Sequence, residues 1–198
     1  MTDWNQRYES GDIPWEKGEP SPPLLEILKE KDLSIWGDGP ILVPGCGTGH
    51  DVRALAEKSL DPIGLDIAPL ALDRARSQPD AGSETYELGD FLNPSWQTGK
   101  TFTAIWEHTC YCAIDPSRRP DYAQACADLI ASGDHLIGVF FLTPNGPGEE
   151  NQGPPFNSSI PELDERFSPW FERIDSWIPK NTYPGREGKE WIAIYRRK

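Results

Sequence analysis

Ile41-Leu42-Val43-Pro44-Gly45-Cys46-Gly47-Thr48-Gly49-His50-Asp51 is the stretch that decides the fold. An apolar run stops at three glycines set one residue apart, and beyond them Val52, Leu55 and Ala56 recur at helical spacing. That is a strand, a tight turn and a helix N-terminus, the unit with which α/β proteins receive a nucleotide. Glycine supplies backbone angles that other residues avoid, and its missing side chain lets a ligand approach the main chain. The turn alone predicts a nucleotide-like ligand. Its identity rests on the strands that follow.

Downstream, Pro62-Ile63-Gly64-Leu65-Asp66 is a second buried strand with a carboxylate at its tip. Pro69 opens a helix carrying Leu70, Leu72 and Ala75. Tyr86-Glu87-Leu88 is a third strand, followed by Gly89-Asp90-Phe91, and a fourth runs from Phe102 to Trp106 and ends at Glu107-His108. Asp115-Pro116 starts a helix whose face is Tyr122, Cys126, Leu129 and Ile130, with Gly133 as its C-cap. His135 to Leu142 is the longest apolar run and predicts a central strand. The loop from Thr143 to Asn157 is rich in Gly and Pro. A weak helix over 161–167, a strand over 170–178, a glycine-bearing loop from Tyr183 to Lys189 and a strand from Trp191 to Tyr195 complete the chain. Seven strands with helices between the first five predict a mostly parallel sheet, covered on both faces, with the last strand antiparallel. This is the Rossmann-like α/β architecture of class I S-adenosylmethionine (SAM) methyltransferases.

Upstream, Trp4, Tyr8 and Trp15 stand among Gly11, Pro14, Gly18, Pro20, Pro22 and Pro23. Trp4 and Tyr8 are four apart and share a face of a short helix. The prolines then enforce an extended path. Ser21-Pro22 caps a helix that reaches Lys31. The chain therefore divides into an arm and helix over 1–31 and a core over 41–198, within one domain over 1–198.

The net charge of −13, with scattered Lys and Arg, argues against nucleic acid or an anionic membrane as partner. No apolar run is long enough to span a bilayer, and the acidic N-terminus lacks a leader pattern. Cys46, Cys110, Cys112 and Cys126 have neither disulfide-framework nor zinc spacing. The expectation is a cytoplasmic protein, a monomer, with no metal.

Three loops at strand ends carry the candidate chemistry. Gly45 and Gly47 bring the backbone to the amino-acid part of a ligand. Asp66 is placed to accept from both ribose hydroxyls, while Asp90 can bond an adenine amine and Phe91 can stack on the base. The Gly-x-Gly-x-Gly turn differs from the Gly-x-Gly-x-x-Gly of nicotinamide enzymes, and no proton relay for hydride transfer is evident. Methyl transfer asks less of the protein, mainly alignment and exclusion of water.

The residues Trp4…Arg7-Tyr8…Gly11…Pro14-Trp15…Gly18…Pro20, then Leu42-Val43-Pro44-Gly45-Cys46-Gly47 and Gly64-Leu65-Asp66-Ile67, resemble the thiopurine S-methyltransferase family. Cys112-Ala113-Ile114-Asp115-Pro116-Ser117-Arg118-Arg119-Pro120 and Gly153-Pro154-Pro155-Phe156 resemble its thiol and halide methyltransferase branch. The resemblance implies SAM-dependent methyl transfer to a small soft nucleophile, a thiol or sulfide, by direct in-line displacement. Halide or thiopurine methylation, or a non-catalytic SAM binder, are the alternatives. It implies that Trp4 and Tyr8 lie over the cofactor and that Trp15 faces the sulfonium. His108 falls where thiopurine enzymes favour arginine and the thiol and halide branch tends to carry an aromatic. The resemblance places it on the cofactor side, and it is also a candidate base or positioning group. Trp15, Tyr111 and Arg186 are candidates for the acceptor pocket.

Overall fold

The computed structural model describes residues 2–146 and 152–198. Part of the Thr143–Asn157 loop, residues 147–151, lies outside the described residues.

Alternation along the strands builds two cores from one sheet. In β1 (Pro40–Pro44), Ile41 and Val43 face one side and Leu42 the other. The same division recurs in β4 (Phe102–His108), where Ala104 and Trp106 oppose Ile105. In β7 (Glu190–Arg197), Ile192 and Ile194 oppose Trp191, Ala193 and Tyr195. Period-two burial on both faces is the mark of a sheet covered on both sides.

The sheet order is β3-β2-β1-β4-β5-β7-β6, with β2 Asp61–Asp66, β3 Thr85–Leu88, β5 Ile130–Phe141 and β6 Phe171–Trp177. β7 runs antiparallel to both β5 and β6, and the pairings among β1 to β5 are parallel. The order reverses between β1 and β4, so a crevice opens at their C-terminal ends.

One face is covered by α2 (Pro22–Glu30), through Leu24, Ile27 and Leu28, and by α3 (His50–Ala56), through Val52, Ala54 and Leu55. α6 (Arg119–Leu129) and α7 (Ile160–Phe167) cover the other, through Tyr122, Cys126, Leu163 and Phe167. α4 (Pro69–Arg76) packs instead with the arm helix α1 (Trp4–Ser10), where Tyr8 meets Ala68 and Ala71. The local signals are those of the sequence. Asp3 and Ser21 accept from the amides of Gln6 and Leu24 as N-caps, and proline occupies the first turn of α2, α4 and α6. A short helix, α5 (Pro94–Gln97), follows β3.

Gly133 differs from its expected role. Ile130 is the C-cap of α6, and the chain passes straight into β5. Gly133 lies within that strand with φ of +96°, where Phe102↔Ile130 pairing resumes at Ala104↔His135. Five residue steps on β5 oppose two on β4, so the chain bulges there, and the bulge uses the glycine angle.

Gly49 begins α3 at φ of +77°, and a Cβ there would lie 2.5 Å from the Tyr86 hydroxyl. Strain and overpacking act together at this site. Gly49→Ala is therefore expected to cost about 2–4 kcal/mol in urea unfolding. A change within error would show that the turn can relax.

Candidate functional site

A cleft lies at the reversal point of the sheet. Val43, Gly45, Cys46, Gly47 and Thr48 form its floor. His50 and Asp51 enter from the first turn of α3, and His108 and Thr109 from the end of β4. Trp15, Glu16, Lys17 and Glu19 of the arm cover it, with Tyr183 of the late loop beside them.

The arm is held down by the glycine turn. The Glu16 carboxylate accepts from the Thr48 hydroxyl, the Gly18 amide and His50 Nε2, the last at 2.9 Å. The His50 hydrogen bond leads in lowering its pKa to about 2. Trp15 donates from its indole to the Tyr8 hydroxyl at 3.1 Å, packs edge-on against Trp4 and lies under the Arg7 guanidinium. A Cβ on Gly47 would stand 3.1 Å from the Tyr8 hydroxyl, so the arm comes down onto the turn itself. Tyr183 donates to the Glu19 carbonyl and ties the late loop to the same arm.

Gly45 and Gly47 have φ of +64° and +56°, the left-handed region that the turn requires. The Gly47 amide donates to Asp66 Oδ2 at 2.9 Å, and Ala68 N–H donates to Oδ1 at 2.8 Å. Burial raises the Asp66 pKa, and these amides oppose that rise. Each Asp66 oxygen keeps capacity for a further donor. Asp90 is half-buried beyond β3, where its Oδ1 accepts from the Leu92 amide.

Three expected site residues are placed differently. The Phe91 ring is buried, 4.9 Å between centroids from Tyr122, so it fills the core and is not free to stack on a base. Tyr111 is buried among Tyr122, Phe140 and Phe167, and its hydroxyl donates to Glu162. It forms no part of the cleft wall, because the chain after His108 turns it to the α6 and α7 side. Arg186 is buried behind Tyr183 and its guanidinium pairs with Glu190 at 2.9 Å, so its charge is already committed.

Asp51 was not singled out from the sequence, yet, like Glu16, it gathers three partners in the site. Its Oδ1 accepts from the Ser21 amide at 2.7 Å, and its Oδ2 from the Trp106 indole at 2.8 Å. His108 Nδ1 stands 3.2 Å from the same Oδ2. Burial alone pushes this carboxyl up, but His108, Ser21 and Trp106 together hold it below the ordinary carboxylate value. One signal was available. Strand alternation puts Trp106 and His108 on one face of β4, and β4 is the neighbour of the strand that leads into Asp51. Thr109 follows at φ of +65°, an unfavourable angle for a β-branched residue, and it lies in the cleft wall.

Glu107 points to the opposite face and is 1% exposed. It accepts from the Tyr122 hydroxyl and from the Tyr111 amide at 2.8 Å. Burial raises its pKa from 4.5 to about 7 against those bonds. The folded protein keeps this proton until about pH 7, whereas the unfolded chain releases it near 4.5. Stability is thus fully present below 4.5 and falls as pH rises to 7. Glu107→Gln removes the titration, so its stability relative to wild type should climb by up to about 3 kcal/mol between pH 4.5 and 8 in urea unfolding. A pH-independent difference would show that the carboxyl is ionised throughout.

Comparison with known proteins gives the same picture. The thiopurine S-methyltransferase family model matches residues 1–177. A probable thiol methyltransferase 2 of Arabidopsis thaliana is 31% identical over 98% of this chain and 84% of its own. A thiocyanate methyltransferase 1 of Brassica oleracea is 30% identical with the same coverage. Among solved structures, the N-methyltransferase NodS of Bradyrhizobium japonicum, in complex with S-adenosyl-L-homocysteine, superposes with a TM-score of 0.70 at 15% identity. That match covers 98% of this chain and 97% of its own, and it shows the shared fold. With its sheet order, glycine turn and covering arm, the chain belongs to the thiopurine S-methyltransferase family.

Proposed function

We propose that this family member moves the methyl group of SAM to a small sulfur nucleophile, a thiol or sulfide, by direct displacement. The observation that carries the reading is the cleft itself. Bare glycine backbone, a strand-tip carboxylate and an aromatic arm converge where the sheet order reverses.

The residues present fit that cofactor. Gly45 and Gly47 offer side-chain-free backbone to its amino-acid end. Asp66 offers carboxylate capacity beyond its two amide bonds to the ribose hydroxyls. Asp90 offers a half-exposed carboxylate to the adenine amine. Bound SAM supplies a methyl group already activated on a sulfonium. The face of Trp15, inside the cleft, offers that cation a favourable aromatic contact. Trp4 and Tyr8 hold Trp15 in place and exclude water. His108 stands on the acceptor side with Thr109 and Tyr183. A displacement of this kind needs alignment more than acid–base power. A cytoplasmic location, supported by four unbridged cysteines, and a monomeric state are part of the proposal.

Incubating the protein with SAM and, separately, sulfide, methanethiol, an aromatic thiol and a thiopurine tests the reading. S-adenosylhomocysteine and a methyl sulfide product are expected. SAM binding by calorimetry without product from any acceptor would contradict it. Asp66→Ala should weaken SAM binding by at least about tenfold, the equivalent of roughly 1.4 kcal/mol. Unchanged affinity would remove the ribose assignment.

A further inference from the structure

The methyltransferase reading leaves open how the acceptor reaches its reactive form. Three observations bear on this. First, His108 is clamped at one nitrogen, with Nδ1 3.2 Å from Asp51 Oδ2. The carboxylate is fixed in turn by the Ser21 amide and the Trp106 indole. Second, the opposite nitrogen, Nε2, is shielded from solvent and has no hydrogen-bond partner among the described residues, although the ring lines the cleft. A buried polar atom without a partner is costly, and in a ligand cleft it marks where a ligand's polar group belongs. Third, the cleft is acidic. Glu16, Glu19 and Asp51 line it, and Lys17 is the one ammonium or guanidinium among the described lining residues. Two guanidiniums stand behind the lining: Arg53 bonds to the Thr48 carbonyl and to His50 Nδ1, and Arg186 is neutralised by Glu190.

We propose that Asp51 and His108 form a proton-accepting pair, and that the acceptor is an uncharged thiol that loses its proton inside the cleft. The proposal rests on the methyltransferase reading. Asp51 holds the Nδ1–H tautomer and leaves the Nε2 lone pair free. The thiol proton passes to Nε2, and the imidazolium formed is stabilised by the Asp51 carboxylate. The electron pair left on the thiol sulfur forms the new bond to the methyl carbon. The bond from that carbon to the sulfonium breaks, its pair staying on S-adenosylhomocysteine. The proton then leaves His108 to water. An anionic acceptor such as thiocyanate or iodide needs no base and must enter past three carboxylates.

The groups facing His108 are consistent with this role. On α3 they are Asp51 and His50, and on the arm Glu16, Lys17 and Glu19. The late loop brings Tyr183, 6.1 Å between ring centroids, with the paired Arg186 behind it. Glu107 on the same strand faces away. Asp51 acts through His108 and is a positioning residue, whereas His108 is the group that touches the acceptor.

The test compares His108→Gln with wild type on three acceptors at pH 7: a simple alkyl thiol, 4-nitrobenzenethiol, which is already ionised, and thiocyanate. A simple alkyl thiol titrates above the ~8.5 of a free cysteine, so less than about 3% of it is ionised at pH 7, and kcat/KM for it should fall about 30-fold or more. The ionised thiol should change by less than about threefold. The pH profile of the variant with the alkyl thiol should follow the thiol's own ionisation, while that of wild type levels off near neutrality. Wild type should turn over thiocyanate at least about tenfold less efficiently than the alkyl thiol. Asp51→Asn should show the same dependence on acceptor ionisation. In the free wild-type protein, nitrogen–proton correlation spectra should show His108 as the Nδ1–H tautomer. Equal losses for ionised and un-ionised thiols, or an Nε2–H tautomer, overturn the proposal while leaving the methyltransferase reading intact. A wild-type protein that binds SAM and methylates none of these acceptors overturns both.

Discussion

The carboxylate of Asp51 is the constraint on which the site depends. It sits in the first turn of α3, where a negative charge complements the helix N-terminus. Its oxygens join α3 to two further elements: the start of α2 through Ser21, and β4 through both Trp106 and His108. A buried carboxylate without partners would be driven to protonate, but this one has enough donors to stay charged. Removing one member of such a buried set commonly costs about 3–5 kcal/mol, because the charge left behind is uncompensated. The same bonds that keep Asp51 ionised therefore fix the distance between the glycine turn and the end of β4, which is the width of the cleft.

A second constraint closes the cleft from above. The arm is rich in proline and glycine and has little core of its own, apart from Tyr8 against Ala68 and Ala71. Glu16 compensates by bonding to both Thr48 and His50, on the turn that it covers. Trp15 thereby lines the same cleft as Gly45 and Gly47. An acidic cleft under an aromatic lid suits a cationic donor and an uncharged acceptor better than an anionic acceptor. Charge thus argues for the same chemistry as the geometry of His108.

The fold was legible because its signals are local. Strand alternation, proline at helix starts and the glycine turn each act within a few residues, and the seven strands and the lone antiparallel strand followed from them. Gly133 was misplaced because a glycine at positive φ serves a helix end or a bulge equally well. Asp66 and the glycines, expected on the cofactor side, do come together at strand tips, where local patterns put them. The acceptor side was not legible in this way. Tyr111 and Arg186, like Phe91 on the adenine side, are residue types that suit a pocket or a core, and spacing alone does not decide between them. α7 supplies Glu162 to the Tyr111 hydroxyl, and Glu190 claims Arg186. Asp51 was hidden in the same way, because its partners Ser21 and His108 lie far along the chain in either direction.

The central claim is that the arm and the glycine turn enclose SAM between them. Hydrogen–deuterium exchange with and without SAM addresses it most directly. Protection of amides over residues 4–18 and 45–51, with little change along β6, is the predicted result. Bound SAM that leaves both segments exchanging as before, or that protects the β6 and β7 edge instead, would contradict the account.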